Sequence, residues 1–68
     1  MTKNISVFGL GKLGASMVAC LASRGFNIIG VDVLSKSVSL LNRGDAPVQE
    51  TGLDELIKAN KNLIRATE

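Results

Sequence analysis

Short apolar runs separated by glycines and polar residues occur along the first half of the chain, and they predict strands and helices in turn. Residues 5–8 are mostly β-branched or aromatic and stop at Gly9, which is typical of a strand. Residues from about 11 to about 24 are good helix formers, and Gly25 follows where a helix cap would fall. Residues 27–32 form a second apolar run without alternation, which favours a parallel strand buried on both faces.

The second half of the chain predicts two further helices and a candidate third strand. Ser35 is placed to cap a short helix over residues 36–43. Residues 52–60 predict another helix, whose apolar face consists of Leu53, Leu56 and Ile57. Residues 63–66 are the candidate third strand. The order strand, helix, strand, helix, helix, strand predicts an α/β fold with a parallel sheet and right-handed crossovers.

The first predicted helix is unusually apolar. Between Gly14 and Ala22 only Ser16 is polar, and a helix that is apolar nearly all round is normally covered on more than one side. Cys20 lies in this stretch, so we interpret it as a small buried side chain without a catalytic role.

Composition limits the chemistry that the chain can perform. It has 68 residues, a single cysteine and no histidine. An internal disulfide is therefore impossible, and neither a histidine nor a multi-cysteine metal site is expected. The commonest general base at neutral pH is also missing. We expect one small domain that does not complete a catalytic cycle with its own residues.

Charge and aromatic content argue against two classes of partner. The net charge is +2, the basic residues are scattered, and the aromatic residues are Phe8 and Phe26 alone. A nucleic-acid interface would more typically show a basic stripe with aromatic side chains for stacking, so no nucleic-acid partner is expected. No apolar run approaches the roughly 18 residues of a membrane span, and the N-terminus does not resemble a secretory signal. We therefore expect no membrane partner and a cytoplasmic location.

A glycine motif lies between the first predicted strand and the first predicted helix. It reads Gly9-x-Gly11-x-x-Gly14. In such a motif the first glycine permits a tight turn, the second lets the backbone approach a pyrophosphate, and the third lets the helix pack closely. The backbone N–H groups of Lys12 and Leu13 would take part at the helix N-terminus, which favours anions. The glycines alone would equally suit a tight turn that binds no ligand.

An acid at the end of the second predicted strand favours the ligand-binding interpretation. Asp32 follows Gly14 by 18 residues. A carboxylate at this place can accept hydrogen bonds from both hydroxyls of the adenosine ribose, and its charge repels a 2′-phosphate. The motif, the strand that follows it and the acid together predict dinucleotide binding, with NAD favoured over NADP as the cofactor.

Four segments, residues 5–14, 25–32, 41–53 and 63–67, together resemble the N-terminal part of the UDP-glucose/GDP-mannose dehydrogenases. The first two are shared by many Rossmann dehydrogenases. The third is more specific, because it combines Asn-x-Gly, a proline and then Glu-x-Gly-Leu ahead of a helix. The resemblance implies a Rossmann-type parallel sheet. Residues 1–68 would hold the first half of that sheet, as the N-terminal part of a dinucleotide-binding domain, with the substrate domain absent from this chain.

The resemblance also implies an activity for the parent protein. The family oxidises the C6 alcohol of UDP-glucose or GDP-mannose to the carboxylate, using two NAD and a cysteine nucleophile through a thioester. Its NAD-binding residues are matched here by Gly9, Gly11, Gly14 and Asp32. Its catalytic residues and its nucleotide-sugar site would lie outside this chain, so no catalytic residue is assigned, and we expect the parent protein to be a homo-oligomer.

Three positions depart from the family pattern. Lys12 stands where the family usually has tyrosine, and Thr51 stands where it usually has proline. Ser37, beside Lys36, stands where the family often carries a lysine that contacts the adenosine ribose or its surroundings.

Two other functions are compatible with part of this pattern. A β-hydroxyacid dehydrogenase shares the glycine motif, the helix and the acid, although the segment over residues 47–53 speaks against it. A free-standing, NAD-responsive module without catalysis is the alternative from a different class.

Overall fold

Three parallel strands form the sheet of the computed structural model, which describes residues 3–68. They are β1 (Asn4–Phe8), β2 (Asn27–Val31) and β3 (Ile64–Thr67), and β2 lies between the other two. The predicted third strand is therefore confirmed. The domain is predicted over residues 1–68, and its first two residues lie outside the described part of the chain. The same holds for the start of the N-terminal segment that does not resemble a secretory signal.

The connections between the strands are helical. Helix α1 (Lys12–Ser23) joins β1 to β2, and α2 (Ser35–Asn42) and α3 (Leu53–Ala59) lie between β2 and β3, followed by a 3₁₀ turn at Lys61–Leu63. This order confirms the predicted α/β fold with a parallel sheet. Within residues 3–68, no helix has both the length and the apolar character needed to cross a membrane.

One face of the sheet carries the core. Helix α1 buries small side chains, which allow the helix axis to approach the strands closely: Ala15, Val18, Ala19 and Ala22. Ile28 of β2 and Ile57 of α3 are also fully buried in this core. Leu41 of α2 belongs to the same core, so the helices of both crossovers pack on one side of the sheet, which is the arrangement that right-handed connections to successive strands in one direction produce.

The expectation that β2 is buried on both faces is wrong for the described residues. Ile28 is 1% exposed, whereas its neighbour Ile29, which points to the opposite face, is 39% exposed. Phe8, at the end of β1, is 78% exposed. The continuous apolar run is real, but residues 3–68 supply helices to only one side of it.

Three expectations about side chains also require correction. Cys20 is exposed rather than buried, because α1 turns the face that carries Val18 and Ala22 towards the sheet. Ser35 is the first residue of α2 and not its cap, since the cap position is Leu34 and no side chain bonds there. On α3, Leu53 and Ile57 are buried as expected, but the exposed fraction of Leu56 is 38%.

A side chain of α2 fastens the outer edge of β3. The side-chain nitrogen Nδ2 of Asn42 donates to the backbone carbonyl of Ala66 over 3.0 Å. The backbone N–H of Ala66 donates to the side-chain oxygen Oδ1 of Asn42 over 2.8 Å. The carboxamide thus makes the pair of bonds that a neighbouring strand would make. It occupies backbone groups that edge strands otherwise present to other chains.

Ion pairs hold the segment that follows α2 against α3. Both Arg43 and Lys58 donate to the carboxylate of Asp45, each over 3.1 Å. Asp54 accepts a hydrogen bond from the N–H of Ala46 over 2.8 Å and lies 3.8 Å from the Lys58 ammonium. These contacts fix where the loop between α2 and α3 runs relative to the glycine motif.

Candidate functional site

The glycine motif forms the turn that carries the chain from β1 into α1. Gly9 has φ +91°, in the left-handed region that favours glycine, and its N–H donates to the carbonyl of Val31 over 2.7 Å. Gly11 is the cap residue of α1 and has extended backbone angles, φ −72° and ψ −165°. The tight turn predicted at Gly9 is therefore present.

Gly14 lies in the first turn of α1, directly against this loop. A Cβ atom at position 14 would overlap the carbonyl oxygen of Gly9, and the side chain of Val7 would be 3.7 Å from it. The close packing predicted for this glycine is therefore present, and its nearest neighbour is the loop itself rather than the strands.

The surroundings of Gly11 are different. A Cβ atom there would have no other group within 4 Å, so this part of the backbone faces open space. The side chains of Lys12 and Leu13 are also exposed, and no side chain caps this end of α1. The first N–H groups of a helix have no partner within it, so they are directed at whatever lies ahead of α1. A negatively charged group can approach this backbone without meeting a side chain of Gly11.

Asp32 follows the last residue of β2 and reaches back to the glycine motif. One carboxylate oxygen accepts a hydrogen bond from the N–H of Leu10 over 2.7 Å, and the other accepts one from the N–H of Leu34 over 2.9 Å. The predicted loop and the predicted acid, which are far apart in sequence, therefore meet at the carboxyl end of the sheet. This is the edge where ligands bind in open parallel α/β sheets.

Hydrogen bonds favour the ionised form of Asp32. Its pKa is lowered from the ordinary value of 3.8, first by the N–H of Leu34, then by that of Leu10 and to a smaller extent by that of Val33, while partial burial acts in the opposite direction. An ionised carboxylate accepts hydrogen bonds and donates none. The group is therefore suited to partners that carry hydroxyl protons and unsuited to a phosphate.

The charged side chain of Lys12 forms an ion pair outside the glycine motif. Its ammonium lies 3.5 Å from the carboxylate of Glu50; the side chain of Lys12 is 77% exposed and that of Glu50 is 37% exposed. The two residues border an open depression between the glycine motif and the loop ahead of α3, which is lined by Lys12, Ala46, Val48, Gln49, Glu50, Thr51 and Asp54. The lysine that replaces the family's usual tyrosine therefore pairs with an acid of the more specific segment.

The departure at Ser37 falls in the first turn of α2. Lys36 is exposed and Ser37 is half-buried there, close in sequence to Asp32. Among residues 3–68, no cluster of three or more acidic, cysteine or histidine side chains is arranged to hold a metal ion.

Two residues of the site escaped the sequence analysis. Leu10 is 1% exposed, and its side chain fills the space beside Gly30, near the end of β2. A Cβ atom on Gly30 would lie 2.8 Å from Leu10 and 3.0 Å from Leu41. A glycine inside a strand often marks such a close approach, so Gly30 carried a usable signal.

Comparison with known proteins gives a consistent result. Residues 3–68 match the profile described as "UDP-glucose/GDP-mannose dehydrogenase family, NAD binding domain". GDP-mannose 6-dehydrogenase of Pseudomonas savastanoi pv. phaseolicola is 46% identical over 54 residues, which are 79% of this chain and 12% of that protein. The chain thus spans about an eighth of the length of the curated relatives it matches first.

Solved structures show the same fold. The ternary complex of GDP-mannose dehydrogenase from Pseudomonas aeruginosa superimposes with a TM-score of 0.89 at 42% identity, covering 93% of this chain and 15% of that one. UDP-glucose dehydrogenase from the archaeon Pyrobaculum islandicum gives a TM-score of 0.87 at 27% identity, covering 100% of this chain and 16% of that one.

Proposed function

The chain belongs to the UDP-glucose/GDP-mannose dehydrogenase family, within its NAD-binding domain, and we propose that residues 3–68 hold the adenosine and the pyrophosphate of NAD. The observation that carries the proposal is the meeting of two groups at one edge of the sheet. The open backbone of the glycine motif leads into α1, and the ionised carboxylate of Asp32 lies beside it, bonded to the N–H of Leu10.

The pyrophosphate would lie against the start of α1. Gly11 leaves the backbone open to approach, and the N–H groups of Lys12 and Leu13 would donate to the phosphate oxygens. Gly9 and Gly14 act indirectly, because the turn at the first and the close packing at the second give the loop its shape. The Lys12 ammonium pairs with Glu50, so we assign the contact to its backbone and not to its side chain.

The adenosine ribose would lie on Asp32. Each of its carboxylate oxygens is bonded to one N–H, and each has a further lone pair that can accept a ribose hydroxyl. A 2′-phosphate in the same place would put its negative charge next to that of the Asp32 carboxylate. The site therefore favours NAD over NADP.

For the parent protein we propose a nucleotide-sugar 6-dehydrogenase. When bound, NAD supplies the hydride acceptor for the oxidation of an alcohol. The residues of this chain would bind and orient that cofactor as the N-terminal part of the dinucleotide-binding domain, and the nucleotide-sugar site and the catalytic residues would lie in a substrate domain outside residues 1–68. The names of the relatives support this substrate class. The cytoplasmic location and the homo-oligomeric state stay predictions.

The two alternatives stated for the sequence make different predictions about the gene. The family match over residues 3–68 supports the nucleotide-sugar dehydrogenases over the β-hydroxyacid dehydrogenases. Sequencing the source locus beyond Glu68 tests the remaining choice. A reading frame that continues into a cysteine-containing sugar-nucleotide domain would support the proposal, and a stop codon directly after Glu68 would favour the non-catalytic module.

Titration with the two cofactors tests the site itself. Asp32→Ala should lower the affinity for NAD by about tenfold or more for each hydrogen bond lost. It should also reduce the preference for NAD over NADP. Glu55→Gln is the matched control, because it removes one exposed negative charge from α3 and should leave both affinities unchanged. Equal affinities of the original chain and Asp32→Ala for both cofactors would refute the ribose contact.

A further inference from the structure

We propose that Asp32 is also a positioning residue for the glycine motif: together with Leu10 it holds the loop in its binding shape before any cofactor arrives. The inference rests on the proposed function in one respect, namely that this loop is the pyrophosphate site. It assigns a second task to a carboxylate whose ribose contact is already proposed, and it brings in Leu10, for which no ligand contact is proposed.

The hydrogen bond between Leu10 and this carboxylate lies directly beyond the last backbone hydrogen bond between β1 and β2. The N–H of Gly9 donates to the carbonyl of Val31 over 2.7 Å and extends the backbone pairing one residue past β1. The next N–H along the chain, that of Leu10, donates to the carboxylate of Asp32 over 2.7 Å. The acid thus supplies a hydrogen-bond acceptor to the loop directly after the backbone pairing of the strands ends. A charged acceptor makes a stronger bond than a carbonyl does.

The side chain of Leu10 provides a second attachment to β2. It is almost completely buried and packs beside Gly30, which has no Cβ atom to displace it. Leu10 is therefore held by its side chain at Gly30 of β2 and by its backbone at Asp32, which directly follows β2. Between Gly9 and Gly11, both of which have large conformational freedom, such a double attachment restricts the loop.

The carboxylate itself is also held in place. Its other oxygen accepts the N–H of Leu34, two residues further along, which is the local pattern of an Asx-turn. Asp32 therefore does not depend on a ligand for its orientation. The same group can hold the loop and accept ribose hydroxyls, because its remaining lone pairs stay available.

The two tasks of Asp32 predict opposite responses to inorganic pyrophosphate, which has no ribose. If Asp32 only binds the ribose, Asp32→Ala removes a nearby negative charge and leaves the affinity for pyrophosphate unchanged or raises it. If Asp32 also positions the loop, the same change weakens pyrophosphate binding despite the more favourable charge.

Amide hydrogen exchange of the ligand-free chain, followed by NMR, measures the attachment directly. We expect exchange at the Leu10 amide to accelerate by about tenfold in Asp32→Ala, with little change in the amides of β2. Glu55→Gln, the control, should change neither the exchange at Leu10 nor the affinity for pyrophosphate. Unchanged exchange at Leu10, or pyrophosphate that binds Asp32→Ala as tightly as it binds the original chain, would overturn the inference.

Two further arms keep the test decisive. If Asp32→Ala does not fold, Asp32→Asn takes its place, because the carboxamide retains one acceptor and must lose the bond to either Leu10 or Leu34. Faster exchange at one of these two amides is then the expected result, and protection of both overturns the inference. If the complete parent protein binds neither pyrophosphate nor NAD, the proposed function fails, while the exchange rates still decide whether the attachment exists.

Discussion

The carbonyl oxygen of Gly9 occupies the space in which any other residue at position 14 would place its Cβ atom. The first turn of α1 therefore packs directly on the peptide group at which the chain leaves β1. This contact sets how near the start of the helix lies to the end of the strand, and with it the width of the loop between them.

Gly14→Ala is expected to destabilise the fold. The methyl group meets backbone and not the flexible end of a side chain, so α1 or the loop must move, at a cost of about 1–3 kcal/mol or more in the free energy of unfolding. Urea denaturation followed by circular dichroism measures this. An alanine variant as stable as the original chain would show that α1 can move away from the loop without a loss of stability.

Gly11→Ala should have the opposite profile. Its backbone angles suit any residue and its Cβ would meet nothing within 4 Å, so the stability is retained. The methyl group nevertheless projects into the space through which a pyrophosphate would approach, and Gly11→Val projects further. Titration should show NAD binding weakened by alanine and abolished by valine, with unchanged far-UV circular dichroism. Tight binding to both variants would mean that the loop is only a turn.

Gly30→Ala tests the space that Leu10 fills. The new methyl group would lie 2.8 Å from Leu10 and 3.0 Å from Leu41, which is closer than side chains pack, and we expect a loss of about 1–3 kcal/mol in the free energy of unfolding. Combined with Leu10→Ala, the new methyl occupies part of the vacated space. The double variant should therefore lose less than the two single losses added together. Additive losses would contradict the packing described here.

Asn42→Ala removes both bonds to Ala66 at the outer edge of β3. A net loss of about 0.5–1.5 kcal/mol per hydrogen bond is expected in denaturation. The released backbone groups also become available to other chains, so self-association in sedimentation experiments should rise. Asn62→Ala, which alters an exposed asparagine in the 3₁₀ turn ahead of β3, is the matched control and should change neither quantity.

Acid should destabilise the fold partly through Asp45. The hydrogen bond from Lys58, and then that from Arg43, lowers the pKa of this carboxyl below the ordinary value of 3.8. A group whose pKa is lower in the folded state contributes stability above the unfolded value, and this contribution is lost as the pH falls through the folded value. Asp45→Asn should therefore flatten the pH dependence of the free energy of unfolding below about pH 4. An unchanged slope would mean that these exposed ion pairs contribute nothing measurable.

Alkaline pH should destabilise the fold through Lys58, the ion-pair partner of Asp45. The hydrogen bond to Asp45, followed by the charges of Asp54 and Asp45, raises the pKa of Lys58 above 10.5. Its contribution is present below that value and is lost as the pH rises through the higher folded pKa. Lys58→Met should therefore flatten the alkaline part of the stability curve, as measured by denaturation at a series of pH values. Lys36→Met, on an exposed position of α2, is the control.

The amino-acid sequence alone determined the order of the helices and strands and the place of the glycine motif. Both depend on local properties: the β-branched run that stops at Gly9, the good helix formers that follow, and the spacing of Gly9, Gly11 and Gly14. It also placed Asp32 at the end of a strand, and parallel strands bring their carboxyl ends to one edge of the sheet.

Only the tertiary structure decided which groups meet at that edge. The bond from Leu10 to Asp32 joins residues 22 apart and depends on the register of β1 against β2, which a local pattern does not contain. The tertiary structure also decided that Cys20 and Ile29 are exposed. Periodicity tells which residues share a face of a helix or strand, but only the packing of whole elements decides which face is covered.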